Sequence, residues 1–225
     1  MGDKTLFITG ASTGIGAETA RQAVKAGWTV ALFARSQDKL DRLVAELGGD
    51  HALALAGDVT DMDAVQAAID ETAAHFGGID AIFANAGKGL DIAGVEHGDP
   101  AEWREMLDLN INGLLYTVKC AYPYLKKSKG HAVLTGSVAG KITLPGSIYG
   151  ASKWFVQGFA GNLSQEMREW GGRCTVICPG MVDTPFFNEP KPGKLQPEDI
   201  AGAVIHALQQ PDRADIREMV IIPTK

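Results

Sequence analysis

Tyr149 and Lys153 stand four residues apart in "GSIYGASKW" (146–154), a phenol and an ammonium one turn apart if the segment is helical. Both side chains then leave the same face and can meet. A free phenol ionises near pH ~10 and is a poor base at neutral pH, but an adjacent cation favours the phenolate and lowers that pKa by roughly 1–3 units. Such a pair passes a proton to or from an oxygen whose charge changes during a reaction. Ser137, in "GSVAG" (136–140), follows an apolar run upstream of the tyrosine, and its hydroxyl would give that oxygen a second hydrogen-bond donor. On an exposed helix the same spacing is ordinarily a lysine stem lying along an aromatic ring, so the pair gains meaning from its surroundings. Asn110 and Asn112 lie in the apolar pattern "MLDLNINGLLYTV" (106–118), where an unpartnered amide is costly. One of them is expected to serve the site.

A second constellation, "TGASTGIG" (9–16), follows the first apolar run and opens the helical pattern "AETARQAVKAG". Gly10 allows a sharp turn, Gly14 lets backbone approach a pyrophosphate, and Gly16 lets helix pack on strand. The spacing differs from G-x-G-x-x-G, and a plain strand-to-helix turn is the alternative; its place right after the first strand favours the dinucleotide reading. The next apolar run ends "LFARS" (32–36). An NAD-binding fold carries an acid there for the ribose hydroxyl, whereas Arg35 suits the extra phosphate of NADP, so NADP is expected.

The elements that must hold these residues are legible as alternation. Strand-like runs cover 4–9, 29–34, 52–56, 80–85, 131–136, 174–179 and 218–223, and helical patterns cover 14–26, 37–47, 61–76, 100–126, 149–170 and 197–209. Strands apolar on both faces and separated by helices require a parallel sheet covered on both sides, a doubly wound α/β fold of the Rossmann kind. Asp80 reads as a strand-start polar residue, and Thr60 and Asp61 as caps for the helix that follows. The stretch 186–199 holds three prolines, the third being Pro197 where a helix begins, and a glycine. With Met181, Phe186 and Phe187 it reads as a substrate loop over about 181–197 that lines or covers a pocket.

The 225 residues, 45% of them hydrophobic, suit one domain spanning 1–225 with its own core. A formal charge of -6 without a long basic run argues against nucleic acid or an anionic membrane as partner. A small molecule or another copy of the chain is expected instead. Cys120, Cys174 and Cys178 lack metal-ligand spacing and read as reduced packing thiols, which with the absence of a cleavable signal or an apolar membrane-spanning run points to the cytoplasm. The five histidines share no ligand spacing, so no metal is expected.

Taken in order, "TGASTGIG", "NAG" (85–87), "LNING" (109–113), "GSVAG", "YGASK" (149–153) and "PGMVDT" (179–184) resemble the short-chain dehydrogenase/reductase superfamily in its single-domain form, over nearly the whole chain. The tail "PEDIAGAV…ADIREMVIIPT" is similar to NADP-dependent 3-hydroxy acid and serine dehydrogenases. The resemblance implies an oxidoreductase interconverting an alcohol and a ketone or aldehyde. Tyr149 would be general acid or base, Ser137 a hydrogen bond to the substrate oxygen, Lys153 the holder of the nicotinamide ribose, and Asn110 the anchor of a water linking Lys153 to solvent. For the coenzyme it implies contacts from Gly10, Ser12, Thr13, Gly14, Ile15 and Gly16 in the turn, and from Arg35 and Ser36 beside the adenosine. Asp58 and Val59 would meet the adenine. Asn85, with Ala86 and Gly87, would meet the adenine-side ribose, and Pro179, Gly180, Val182 and Thr184 the nicotinamide end. Thr13 departs from the pattern, because many NADP-users of the family carry Arg or Lys there. The family commonly pairs the helices at 100–126 and 149–170 across subunits, which implies a homodimer or homotetramer. Two other readings stand beside this one. A nucleotide sensor on the same fold would have a broken Ser, Tyr, Lys set, and an epimerase or dehydratase of the superfamily generally needs a larger carboxyl-terminal substrate domain.

Overall fold

The seven apolar runs form seven strands, all parallel, in a computed structural model that describes residues 4–92 and 94–224. In chain order the elements are β1 (Lys4–Thr9), α1 (Gly14–Lys25), β2 (Trp28–Ala34), α2 (Gln37–Leu47), β3 (Ala52–Ala56), α3 (Met62–Phe76), β4 (Ala81–Ala84) and α4 (Pro100–Leu107). A π-helical turn over Asp108–Asn112 leads to α5 (Gly113–Ser128), β5 (His131–Thr135), a 3-10 turn (Val138–Gly140), α6 (Ile148–Arg168), β6 (Arg173–Pro179), α7 (Pro197–Leu208) and β7 (Glu218–Ile221). The strand order is β3-β2-β1-β4-β5-β6-β7, so the chain winds outward first on one side of β1 and then on the other.

Alternating side chains explain the layers. Phe7, Phe33, Ile82 and Leu134 point to one face of the sheet and pack with Val65 and Ile69 of α3, Val118 of α5 and Val156 of α6. Leu6, Ile8, Leu32 and Phe83 point to the other and pack with Ala20 of α1, Leu40 of α2 and Val204 of α7. Both faces are therefore buried, as parallel strands require. The expected fold class holds.

Three differences from the expected elements have local causes. The helix expected at 100–126 runs unbroken over 100–128 but widens to a π turn at Asp108–Asn112 between α4 and α5, and Asn110 within that turn bonds across to the backbone of Lys88; π turns of this kind commonly mark functional positions. Strand β4 starts at Ala81 because the Asp80 carboxylate accepts from Thr5 N at 2.8 Å. Asp61 alone caps α3, accepting from Asp63 N and Ala64 N, while the Thr60 hydroxyl donates to Asp58 Oδ1 at 2.9 Å. No helix among the described residues is long and apolar enough to cross a membrane.

Candidate active site

The strand order reverses at β1 and β4, and the crevice beyond their carboxyl ends is where such sheets bind ligands. A cleft of about 760 Å³ opens there, within the range of small-molecule sites. It is lined by the residues that leave the ends of β1 to β6, in turn Gly10, Arg35, Gly57, Asn85, Ser137 and Gly180. Every cofactor-site residue expected from the sequence lines this cleft except Gly16, which stands behind the turn against the Gly10 carbonyl.

The turn itself is a backbone cradle. Gly10 and Gly14 have φ of 64° and 55°, where a side chain is strained. A Cβ on Gly10 would lie 3.0 Å from Ala86 Cα, and one on Gly14 3.2 Å from Thr184 Cγ2. Capping sets this helix apart. Asp61, Asp99 and Ser147 cap α3, α4 and α6 with side-chain oxygens, and Asp199 accepts from Gln196 N at the start of α7. By contrast Thr13 and Ser36 make no side-chain cap to α1 and α2, and both residues line the cleft. Two positive helix ends thus remain for an anionic ligand, which is the donor set a dinucleotide pyrophosphate requires.

At the adenosine end, Arg35 is exposed and Ala34 is buried. Lys39 joins Arg35 on the cleft wall, a cation missed in the sequence. The available signal was a lysine in the first turn of α2, where the helix dipole disfavours positive charge. Asp58 Oδ1 is held by Thr60 N at 3.0 Å. Asn85 lines the cleft but also ties three strand ends together: its Nδ2 donates to Thr9 O at 3.2 Å, and its Oδ1 accepts from Thr135 Oγ1 at 3.2 Å.

Ser137, Tyr149 and Lys153 converge at the opposite end. Ser137 follows β5 and caps the 3-10 turn, its Oγ accepting from Ala139 N at 3.1 Å, and its hydroxyl is close enough to Tyr149 to oppose the rise in the phenol's pKa. Tyr149 and Lys153 both lie in the first two turns of α6, and the ammonium sits 5.8 Å from the centre of the tyrosine ring. Lys153 is 5% exposed and donates to Thr135 O at 2.9 Å. Asn110 stands behind it: Oδ1 accepts from Lys88 N at 2.9 Å and Nδ2 donates to Lys88 O at 3.0 Å, while Asn112 pairs with Asp108 on the surface. Of the two amides, Asn110 is the one buried beside the site.

The electrostatics correct one expectation. Burial pushes the Tyr149 phenol up, with the Ser137 hydrogen bond opposing it, so the lysine does not bring the tyrosine below its ordinary value here. Lys153 is itself pulled down to about 8 by burial. Spacing in the sequence reports that two groups can meet, not how much water they lose when they do.

After β6 the loop folds over the cleft. Val182 and Leu195 form a bridge, and Asp183 N donates to Leu195 O at 2.7 Å. The Phe186 ring lies 5.8 Å from Tyr149 and 5.2 Å from Phe187. Its close approach depends on Gly89, where a Cβ would lie 3.2 Å from the Phe186 ring. Met181, Phe186 and Phe187 all line the cleft as expected, joined by Leu90, Leu144 and Ser147.

Comparison with known proteins agrees with this geometry. A family model described as short chain dehydrogenase matches residues 4–194. An oxidoreductase of Staphylococcus saprophyticus is 36% identical over 229 residues, covering 98% of this chain and 97% of its own. Among solved structures, an alcohol dehydrogenase from the archaeon Thermococcus sibiricus, complexed with 5-hydroxy-NADP, has a TM-score of 0.91 at 30% identity, covering 98% of this chain and 97% of its own. Serine dehydrogenase from Escherichia coli has a TM-score of 0.88 at 29% identity, covering 97% of each chain.

Proposed function

The chain belongs to the short-chain dehydrogenase family and is an oxidoreductase of that type; on that premise we propose that it interconverts an alcohol and a ketone or aldehyde by hydride transfer with NADP(H), Tyr149 serving as general acid and base. The observation that carries this reading is the convergence of Ser137, Tyr149 and Lys153 on the floor of a cleft whose other end is a glycine turn backed by two uncapped helix starts. A bound reduced nicotinamide supplies the hydride.

The residues of the chain do the rest. As negative charge grows on the substrate oxygen, Ser137 and Tyr149 donate hydrogen bonds to it, and the phenol passes its proton. A phenol whose pKa burial has raised stays protonated at neutral pH, which suits an acid for reduction. Lys153, charged below about pH 8, holds the ribose hydroxyls and offsets the tyrosinate left after proton transfer. Asn110 holds the Lys88 backbone through both of its amide atoms, next to Gly87, where a Cβ would lie 3.8 Å from Lys153 Nζ. Gly10, Ser12 and Gly14 to Gly16 hold the pyrophosphate side, with Asp58, Val59 and Asn85 to Gly87 around the adenosine.

Arg35 and Lys39 support NADP over NAD, as does the lack of an acid at Ala34. Trp154, 52% exposed, and the stacked Phe155 and Phe159 on α6 support association into a homodimer or homotetramer. Tyr149→Phe tests the central role. NADPH binding, followed by its fluorescence, is expected to stay within a few-fold of wild type, while turnover falls by about 100- to 10,000-fold. Wild-type turnover in the variant would remove the tyrosine from the chemistry.

A further inference from the structure

The two ends of the cleft differ in charge. Among its described lining residues the cations are Arg35 after β2, Lys39 in the first turn of α2 and Lys153 at the floor. Around Tyr149 the wall is made by Leu90, Leu144, Met181, Phe186 and Phe187. Ser147 adds a hydroxyl, but its Oγ already accepts from Gly150 N at 2.9 Å.

The basic side chains that border these segments are engaged elsewhere. Lys88 pairs with Glu105 at 3.1 Å, and Lys141 pairs with Glu218. Lys191 pairs with Glu189 at 3.7 Å and lies over the Phe187 ring at 5.9 Å. Lys153 donates to Thr135 O at 2.9 Å from a buried position. The loop also carries a negative contact, Asp91 accepting from Asn188 at 3.5 Å.

We propose that this end of the cleft takes a neutral carbonyl compound whose larger substituent is apolar and rests on Phe186, and that it rejects substrates carrying a carboxylate. The inference rests on the reduction reading given under "Proposed function". A carboxylate brought against Leu144, Met181 and the two phenylalanines loses water and meets only a cation already paired, Lys191 over the Phe187 ring with Glu189, and an ion desolvated without a partner of its own is strongly disfavoured. An apolar substituent there gains by leaving water. Phe186, held between the Tyr149 ring and Gly89, sets the wall that the substituent meets.

Two matched pairs test this: methyl 4-acetylbenzoate against 4-acetylbenzoate, and ethyl 3-oxohexanoate against 3-oxohexanoate, each with saturating NADPH. The esters are expected to exceed their carboxylates in kcat/KM by at least about 100-fold. Leu144→Arg, which sets a cation on the wall, is expected to narrow that ratio by about 10-fold or more. Carboxylates turned over as well as their esters would overturn the inference and leave the reduction reading intact. An unchanged ratio in folded, active Leu144→Arg would overturn its electrostatic cause. Failure of the wild-type chain to reduce any of the four compounds would overturn the reduction reading, and the inference with it.

Discussion

The glycine-turn end and the acceptor end of the cleft are built in different ways. At the first, the wall consists of residues that immediately follow strands, Gly10 after β1, Arg35 after β2 and Gly57 after β3. Their places are set by the sheet, and their chemistry is backbone N–H and cationic. At the second, the wall is assembled from Gly89 and Leu90, Leu144 and Ser147, and Met181 to Phe187, segments distant in sequence that meet only in the folded chain. Their chemistry is apolar. A fixed scaffold for one common ligand beside a wall made from loops is how one fold serves many substrates.

The contrast can be inverted at the scaffold end. Ala34→Asp with Arg35→Ala supplies the missing acid and removes a phosphate partner. It is expected to shift the NADPH-to-NADH ratio of kcat/KM by about 100-fold towards NADH, with ester-to-carboxylate discrimination unchanged. Kinetics with both coenzymes measure this, and an unchanged coenzyme ratio would refute the phosphate assignment.

A separate effect, on stability rather than on activity, is expected far from the cleft, at the start of the strand that ends beside Ser137. His131 is 2% exposed, and its Nε2 lies 2.7 Å from Thr175 Oγ1. Burial lowers its pKa from 6.5 to about 3, with Arg173 adding to the shift. Between those values the unfolded chain takes up a proton that the native histidine refuses, so stability falls as pH drops through that window, by about 4 kcal/mol at its lower end. His131→Gln keeps an N–H for Thr175 and is expected to flatten that part of the acid limb in chemical denaturation, with activity at neutral pH unchanged. An acid limb identical to wild type would show that carboxylates elsewhere dominate it.

Much of the scaffold was legible because its signals are local. The glycine turn, the alternation of apolar runs and the Tyr149 to Lys153 spacing are each contained within one element and its neighbours. What was hidden depends on contacts across the chain. Asn110 in the π turn reaches the Lys88 backbone, and Gly89 leaves room for Phe186, nearly one hundred residues away. Lys39 joined the cleft through the orientation of α2, which periodicity alone does not specify. The Tyr149 pKa took the sign opposite to that expected because burial, a property of the whole fold, raises it, with only the Ser137 hydroxyl opposing.

The most direct measurement follows deuterium. With both hydrogens at nicotinamide C4 of NADPH replaced by deuterium and a neutral ketone in excess, mass spectrometry of the product is expected to find one deuterium on the carbinol carbon. Transfer is expected to slow by at least about 100-fold in Tyr149→Phe. An alcohol product without deuterium, or equal transfer in the variant, would contradict hydride transfer assisted by this tyrosine.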